Sequence, residues 1–259
     1  MTEAVSTPAP TDERPLRILT LNMQVGMPTE HYRHYFTGAW RHVLPSKGVR
    51  HNLDRIAELL AEYDVVALQE ADAGSMRTAR LNQVEYLAHR AGFPHWHVAV
   101  NRNLAPLAQH AIGLLSRFPL HDTRHHPLPG RFRGRGALEA HVREPGHQPL
   151  HLMVAHLALG RLSRERQLSY LADLADPGAD TVLMGDFNCE PLELEQHPQL
   201  RRIGFSPVHV DPTYPSWSPK RSIDHMLVTP SVTTRAARVL EHRLSDHLPV
   251  ATEVLLRQQ

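Results

Sequence analysis

The sequence predicts an α/β protein in which mixed β-sheets pack together and helices lie outside them. Three observations predict it. Short β-type runs outnumber helical ones. The helical runs do not alternate strictly with strands, as a doubly wound parallel sheet would require. No linker divides the 259 residues into two compact halves, so one core is expected to serve the chain.

In chain order, MTEAVSTPAPTDERP is polar and Pro-rich and has no apolar stretch of the secretory kind. Residues 1–14 are therefore read as a disordered tail and 15–257 as a single domain. LRILTLNMQ (16–24) predicts a first strand, and NLDRIAELLAEY (52–63) an amphipathic helix with Leu53, Ile56, Leu59 and Leu60 on one face. DVVALQE (64–70) predicts a second strand, followed by a helix near 82–91. Further strands are expected at 96–100, 112–115, 137–142, 150–155, 181–184, 223–228 and 250–255, with a third helix near 163–175. The Pro- and Arg-rich stretches HHPLPGRFRGRG and DPTYPSWSPKRS read as loops.

Composition narrows the class. At 41% hydrophobic and 21% charged, with no apolar run of membrane-spanning length, the chain reads as a soluble protein without a membrane anchor. Its single cysteine, Cys189, excludes an internal disulfide and fits a reducing cytoplasm. The net charge of +1 gives no global basic footprint for nucleic acid. All but two of the 28 basic residues are arginines, the exceptions being Lys47 and Lys220. Arginine forks suit phosphate oxygens, and a compositional bias of the genome produces the same skew. With 20 histidines, no single His is informative alone.

The chemistry collects where strands end. Asn22 follows RILTL, Glu70 follows VVALQ and His156 follows LHLMVA. In VLMGDFNCEP, Asp186 and Asn188 follow a mostly apolar run, two residues apart and so on one side of an extended backbone. Asp224 and His225 sit inside SIDHMLV, and SDHLPV brings Asp246 and His247 to the start of the last strand. One such residue is an ordinary turn former. Six segments each delivering Asn, Asp, Glu or His to an edge are costly to bury without partners. If the strands converge, these groups line one pocket. Glu70 with Asp246 or Asn22 offers hard oxygen ligands suited to Mg²⁺ or Mn²⁺. There is no cysteine cluster or HExxH for zinc, no G-x-S-x-G elbow and no Walker loop. Metal-assisted attack of water on phosphorus remains.

These segments resemble the endonuclease/exonuclease/phosphatase superfamily, with its deoxyribonuclease I-like fold. The resemblance rests on LTLNMQ, VVALQE, GLLSRFPL, VAHLALG, LMGDFNCEP, RSIDHMLV and LSDHLPV, in the family's order over nearly the whole chain. It implies a four-layer α-β-β-α sandwich of two packed mixed β-sheets. It also implies that Glu70 binds the divalent metal with Asn22 and Asp246 close by, that His247 is the catalytic histidine and that Asp224 is its partner. Asp186 and Asn188 would orient the attacking water and the scissile phosphate, and His156 would contact or protonate a phosphate oxygen. A His held by Asp suits general-base work. By strand alternation, His225 should point to the opposite face as a structural residue and Gln69 should point away from the site. Ser245 should cap a turn. In QHAIGLLS, Ile112 stands where relatives often carry Asn, and His110 is a candidate phosphate contact.

The activity so implied is a Mg²⁺- or Mn²⁺-dependent phosphodiester hydrolase, with nucleic acid among its candidate substrates, acting as a monomer. The alternatives are a phosphatase or phospholipase-type member, or a binding protein without turnover. Arg131 and Arg133 in RFRGRG could grip phosphates or form a solvated turn. Tyr214 and Trp217 in TYPSW could stack on a base, contact a lipid or simply pack on the domain.

Overall fold

A computed structural model describes residues 14–27, 47–130 and 134–259. The expected tail, apart from Arg14, lies outside the described residues, as do Arg131 and Arg133.

Twelve strands among these residues form two six-stranded mixed sheets. The first sheet contains β1 (Leu16–Asn22), β2 (Val65–Asp72), β3 (His95–Leu104), β4 (Ala108–Ser116), β11 (Thr233–Val239) and β12 (Val250–Leu255), ordered β11-β12-β1-β2-β4-β3. The second contains β5 (Leu120–Pro127), β6 (Gly136–Val142), β7 (Leu150–His156), β8 (Thr181–Asp186), β9 (Ser206–Pro207) and β10 (Asp224–Val228), ordered β5-β6-β7-β8-β10-β9. Each has a parallel pair near its centre, β1 with β2 and β7 with β8, and the other pairs are antiparallel.

Alternation along the strands builds three apolar layers. Leu16, Ile18, Val65 and Ala67 face inward and meet Leu152, Val154, Val182 and Met184 of the other sheet. Leu19, Leu21, Val66 and Leu68 face outward against α1 (Lys47–Leu60) and α2 (Gln83–Ala91). On the far side, Met153, Ala155 and Leu183 pack under α3 (Arg161–Leu174), α4 (Pro191–Glu195) and α5 (Pro198–Ile203). The result is the four-layer α-β-β-α sandwich.

Several expected boundaries move. The chain leaves β1 at Asn22 and turns through a 3₁₀ segment, Gln24–Gly26, instead of continuing as strand. The helix expected at 52–63 spans Lys47–Leu60 among the described residues. Asn82 caps α2 by accepting from the Val84 and Glu85 amides. The strands expected at 96–100 and 112–115 lengthen into the paired β3–β4 hairpin. Three strands lie where the sequence predicts loop: β5 and β11 are largely exposed and polar and carry no apolar alternation, and β9 is only two residues long.

One glycine fixes how closely the central strands approach. Gly185 has φ 140°, and a Cβ there would run into the carbonyl oxygen of Ala155 on β7.

Candidate active site

The C-terminal ends of the two parallel pairs deliver Asn22, Glu70, His156 and Asp186 to the same end of the sandwich. Register does much of this work. His156 lies opposite Asp186 across β7–β8, and Asp224 lies opposite Asp186 across β8–β10. Glu70 arrives differently. The β2–β4 ladder shifts register between Leu68 and Ala71, and Glu70 within that bulge takes φ 54°. A bulge re-aims a side chain at the expense of local pairing, and a positive φ is unusual for Glu. Asn188 also has a positive φ, 54°, a conformation Asn tolerates better.

Two sets of potential ligand atoms result, each with all members within 4.8 Å of one another: Glu70, His156 and Asp186, and Asp186, Asp224 and His247. Asp186 belongs to both. Its Oδ2 accepts from Asn22 Nδ2 at 2.9 Å and lies 3.4 Å from His156 Nε2. Its Oδ1 accepts from the Asn188 backbone N–H at 3.0 Å. The Asn188 side chain donates to the Leu157 carbonyl at 3.1 Å, which pins the turn after β8. Burial pushes the Asp186 carboxyl up to about 7, with Asp224 and Glu70 adding to the rise against the pull of His247.

His247 Nδ1 meets both oxygens of Asp224, at 3.0 and 2.8 Å, and so carries the proton there. Thr213 Oγ1 donates to Asp224 Oδ2 at 2.5 Å. Asp246 Oδ1 lies 4.0 Å from His247 Nε2, and the Tyr214 ring is 4.9 Å from the imidazole. Burial alone would lower the His247 pKa. Asp224, Asp186 and Asp246 overcome it and raise His247 to about 10, so the ring is an imidazolium at neutral pH. Burial likewise raises the Asp246 carboxyl, to about 6.

Asn22 turns its amide nitrogen toward Asp186, while its Oδ1 accepts from the Gln24 amide at 3.2 Å. Ser245 ties this corner together: its hydroxyl donates to the Asn22 carbonyl at 2.6 Å and accepts from the His247 amide at 3.0 Å. Gln69 turns away and exchanges hydrogen bonds with the Thr20 hydroxyl. His225 faces the helix side, bonded to the Cys189 carbonyl at 2.8 Å and packed near Phe187. Trp217 is half-buried and makes no hydrogen bond or ring contact with this site among the described residues.

Beside the cluster opens a cavity of about 590 Å³, which shares Glu70 and His156 with it. Asn101, Arg102 and His110 of the β3–β4 hairpin form one wall, and Arg135, Ser163 and Gln167 form another. Arg135 is a site residue that sequence reasoning missed, because it sits in a stretch read as a solvated or phosphate-gripping loop. The signal was its place next to Gly136, which pairs with His156. Its guanidinium contacts His156 Nε2. Arginine only donates, so that nitrogen accepts and His156 is neutral. Burial and the Arg135 charge hold the His156 pKa well below the ordinary range.

The donor set fits a hard divalent cation. Glu70 and Asp186 with His156, and Asp186 and Asp224 with His247, bring ligand atoms together closely enough to hold one ion, and carboxylate oxygens suit a hard divalent cation. Such a site can bind a phosphoester between a cation and an imidazolium.

The comparisons agree with this geometry. The sequence model of the Endonuclease/Exonuclease/phosphatase family matches residues 19–247, and the chain belongs to that family. Its members are divalent-metal-dependent phosphoesterases, nucleases and phosphatases among them. Over 175 residues the chain is 30% identical to the uncharacterized protein YbhP of Escherichia coli K12, covering 61% of this chain and 68% of that one. Among solved structures, it resembles an endonuclease/exonuclease/phosphatase from Beutenbergia cavernae (TM-score 0.74, 22% identity, 95% of this chain and 72% of that one). It also resembles a mannosyl-6-phosphatase from Bacteroides thetaiotaomicron (TM-score 0.67, 14% identity, 93% and 99%). These likenesses establish the deoxyribonuclease I-like fold. No helix among the described residues is long and apolar enough to cross a membrane.

Proposed function

We propose that this protein is a divalent-metal-dependent phosphodiester hydrolase using Mg²⁺ or Mn²⁺. The observation that carries the reading is the meeting at Asp186 of an acidic corner, Glu70, with a carboxylate-held His247, beside a cavity bearing Arg102 and Arg135. Glu70 would hold the cation, with Asn22 and Asp246 at the same corner. Bound there, the cation supplies Lewis-acid stabilisation of charge developing on phosphoryl oxygens.

The remaining steps belong to the chain. Asp186, oriented by Asn22 and by the Asn188 amide, positions water for in-line attack and takes its proton. His247 keeps Nδ1–H on Asp224 and offers Nε2–H to a phosphoryl oxygen or to the leaving oxygen. In this reading Asp186 takes the proton, and His247, held by Asp224, stabilises the charge on the phosphoryl group. Arg135 holds His156 neutral and leaves guanidinium N–H groups for phosphate.

The test is release of p-nitrophenol from bis-p-nitrophenyl phosphate with Mg²⁺ or Mn²⁺, against the corresponding monoester. Metal-dependent turnover favouring the diester is expected. Turnover of the monoester alone would replace this reading with a phosphatase, and no turnover of either would remove it.

A further inference from the structure

The loop between β2 and α2 is gathered around the buried carboxylate of Asp72. That side chain accepts from the Gly74, Ser75 and Gln109 amides, the Ser75 and Thr78 hydroxyls and Arg77 Nε, at 2.6–3.2 Å. The Arg77 side chain is 7% exposed. Its Nε is occupied by Asp72, while its Nη2 is buried and has no hydrogen-bond partner. A buried guanidinium N–H without an acceptor is costly, and such groups are rare in folded proteins.

Arg77 lines a pocket of about 270 Å³ together with Arg50 and Arg80. Val49, Leu53 and Leu81 are its apolar part, and no carboxylate is among its described lining residues. The pocket shares no lining residue with the cavity beside Glu70. Ala79 and Arg80, at φ 53° and 63°, are consecutive left-handed residues, and neither is glycine. Strain of this kind collects where a loop is shaped to hold a ligand.

Charge selects the class of ligand. Asp72 balances Arg77, but Arg50 and Arg80 have no such partner in the pocket. Arg50 lies over the Tyr86 ring, 5.6 Å from its centroid. Asp54, whose carboxyl senses Arg50, is bonded to the Tyr86 hydroxyl at 2.7 Å and to Arg90 Nε at 3.1 Å. A dianion would meet two uncancelled charges, and an oxygen seated against Arg77 would give it the acceptor that the protein does not. Phosphate suits three guanidinium groups better than a carboxylate does, because it has more oxygens to share among them. The volume walled by Val49, Leu53 and Leu81 has room for an organic group beside the phosphate.

We propose that this pocket is a second anion site, separate from the catalytic cavity, that binds a phosphate group, either free or on a small organic monoester. It stands independently of the phosphodiesterase reading, because it uses none of the residues given a role there.

The full chain is titrated in EDTA with inorganic phosphate and with phenyl phosphate, and backbone amides are followed by two-dimensional NMR. Binding is thereby read without turnover. Saturable shifts should appear at the amides of Thr78, Ala79, Leu81 and Gln83. A tighter fit for phenyl phosphate assigns the site to an ester, and an equal or weaker one to free phosphate. The double variant Arg50→Ala and Arg80→Ala changes two exposed residues and should keep the circular dichroism of wild type. It should weaken binding at these amides by about tenfold or more, as loss of charged hydrogen bonds implies. Arg135→Ala, in the catalytic cavity, should leave the same shifts in place. Absence of saturable shifts at these amides in wild type overturns the proposal. So do shifts indifferent to the arginine pair, or shifts abolished by Arg135→Ala.

Discussion

Asp224 meets His247 Nδ1 with both carboxylate oxygens, at 3.0 and 2.8 Å, and is itself held by Thr213. The pair joins the two sheets: Asp224 opens β10 of the second, and His247 precedes β12 of the first. Its ring nitrogen Nε2 is thereby left for substrate.

Replacing His247 by Ala should lower kcat by about 10²–10⁴-fold, the usual range for a positioned proton donor or charge stabiliser. Asp224→Asn should be severe as well, because an amide neither holds the tautomer nor stabilises imidazolium. His225→Ala should leave kcat per folded molecule close to wild type, since that ring faces Cys189. Steady-state kinetics on variants matched by circular dichroism separate the two histidines, each of which directly follows an Asp. Equal losses at both would refute the roles.

Glu70→Gln should raise the Mg²⁺ or Mn²⁺ concentration needed for half-maximal activity sharply, while the melting temperature in EDTA stays near that of wild type. The amide keeps the shape and removes the charge that a hard cation needs. Isothermal titration of metal into both proteins checks it independently of turnover; equal affinities would exclude Glu70 as the principal ligand.

His225 makes stability fall with acid. Burial, reinforced by nearby His209, lowers its pKa to about 4 against the Cys189 hydrogen bond. The unfolded imidazole titrates near ~6.5. The folded pKa is the lower one, so the unfolded chain binds the extra proton first. Stability is full above about pH 6.5 and drains away between there and pH 4, by on the order of 3 kcal/mol. Urea melts across that window should show the slope in wild type and a shallower one in His225→Asn. Parallel slopes would mean that the ring is not the group responsible.

Gly185→Ala should destabilise by roughly 3–5 kcal/mol, in the exceptional range for a single substitution. The methyl would meet the Ala155 carbonyl oxygen and force the β7–β8 pair apart. His156 and Asp186 end those two strands, so activity should fall even in the fraction that folds. A denaturation midpoint equal to wild type would contradict the close approach.

Strands that are buried on both faces were legible because every residue in them answers to packing. LTL, VVAL and VLM mark β1, β2 and β8 by composition alone. β5 and β11 were not, since edge strands with exposed His, Arg and Thr are held by backbone pairing that leaves no apolar signature. The same division runs through the site. Asp186, His156 and Asp224 could be located because they end apolar runs at fixed register. The presentation of Glu70 depends on a bulge, the role of Arg135 on the strand that follows an apparent loop, and the support of Asp224 by Thr213 on a turn. Bulges, loop ends and turns are long-range outcomes with no local period.

The site is split between layers: Asn22, Glu70 and His247 belong to one sheet and its flanks, His156, Asp186 and Asp224 to the other. Side-chain packing across the seam, with the few hydrogen bonds that cross it at the site, sets their separation. The catalytic constellation is therefore a vernier for that seam. A shear of one sheet over the other, too small to disturb any strand pairing, would pull Asp224 from His247 and Asn22 from Asp186 together. Substitutions deep in the seam, remote from any phosphate, thus have a direct route to the chemistry.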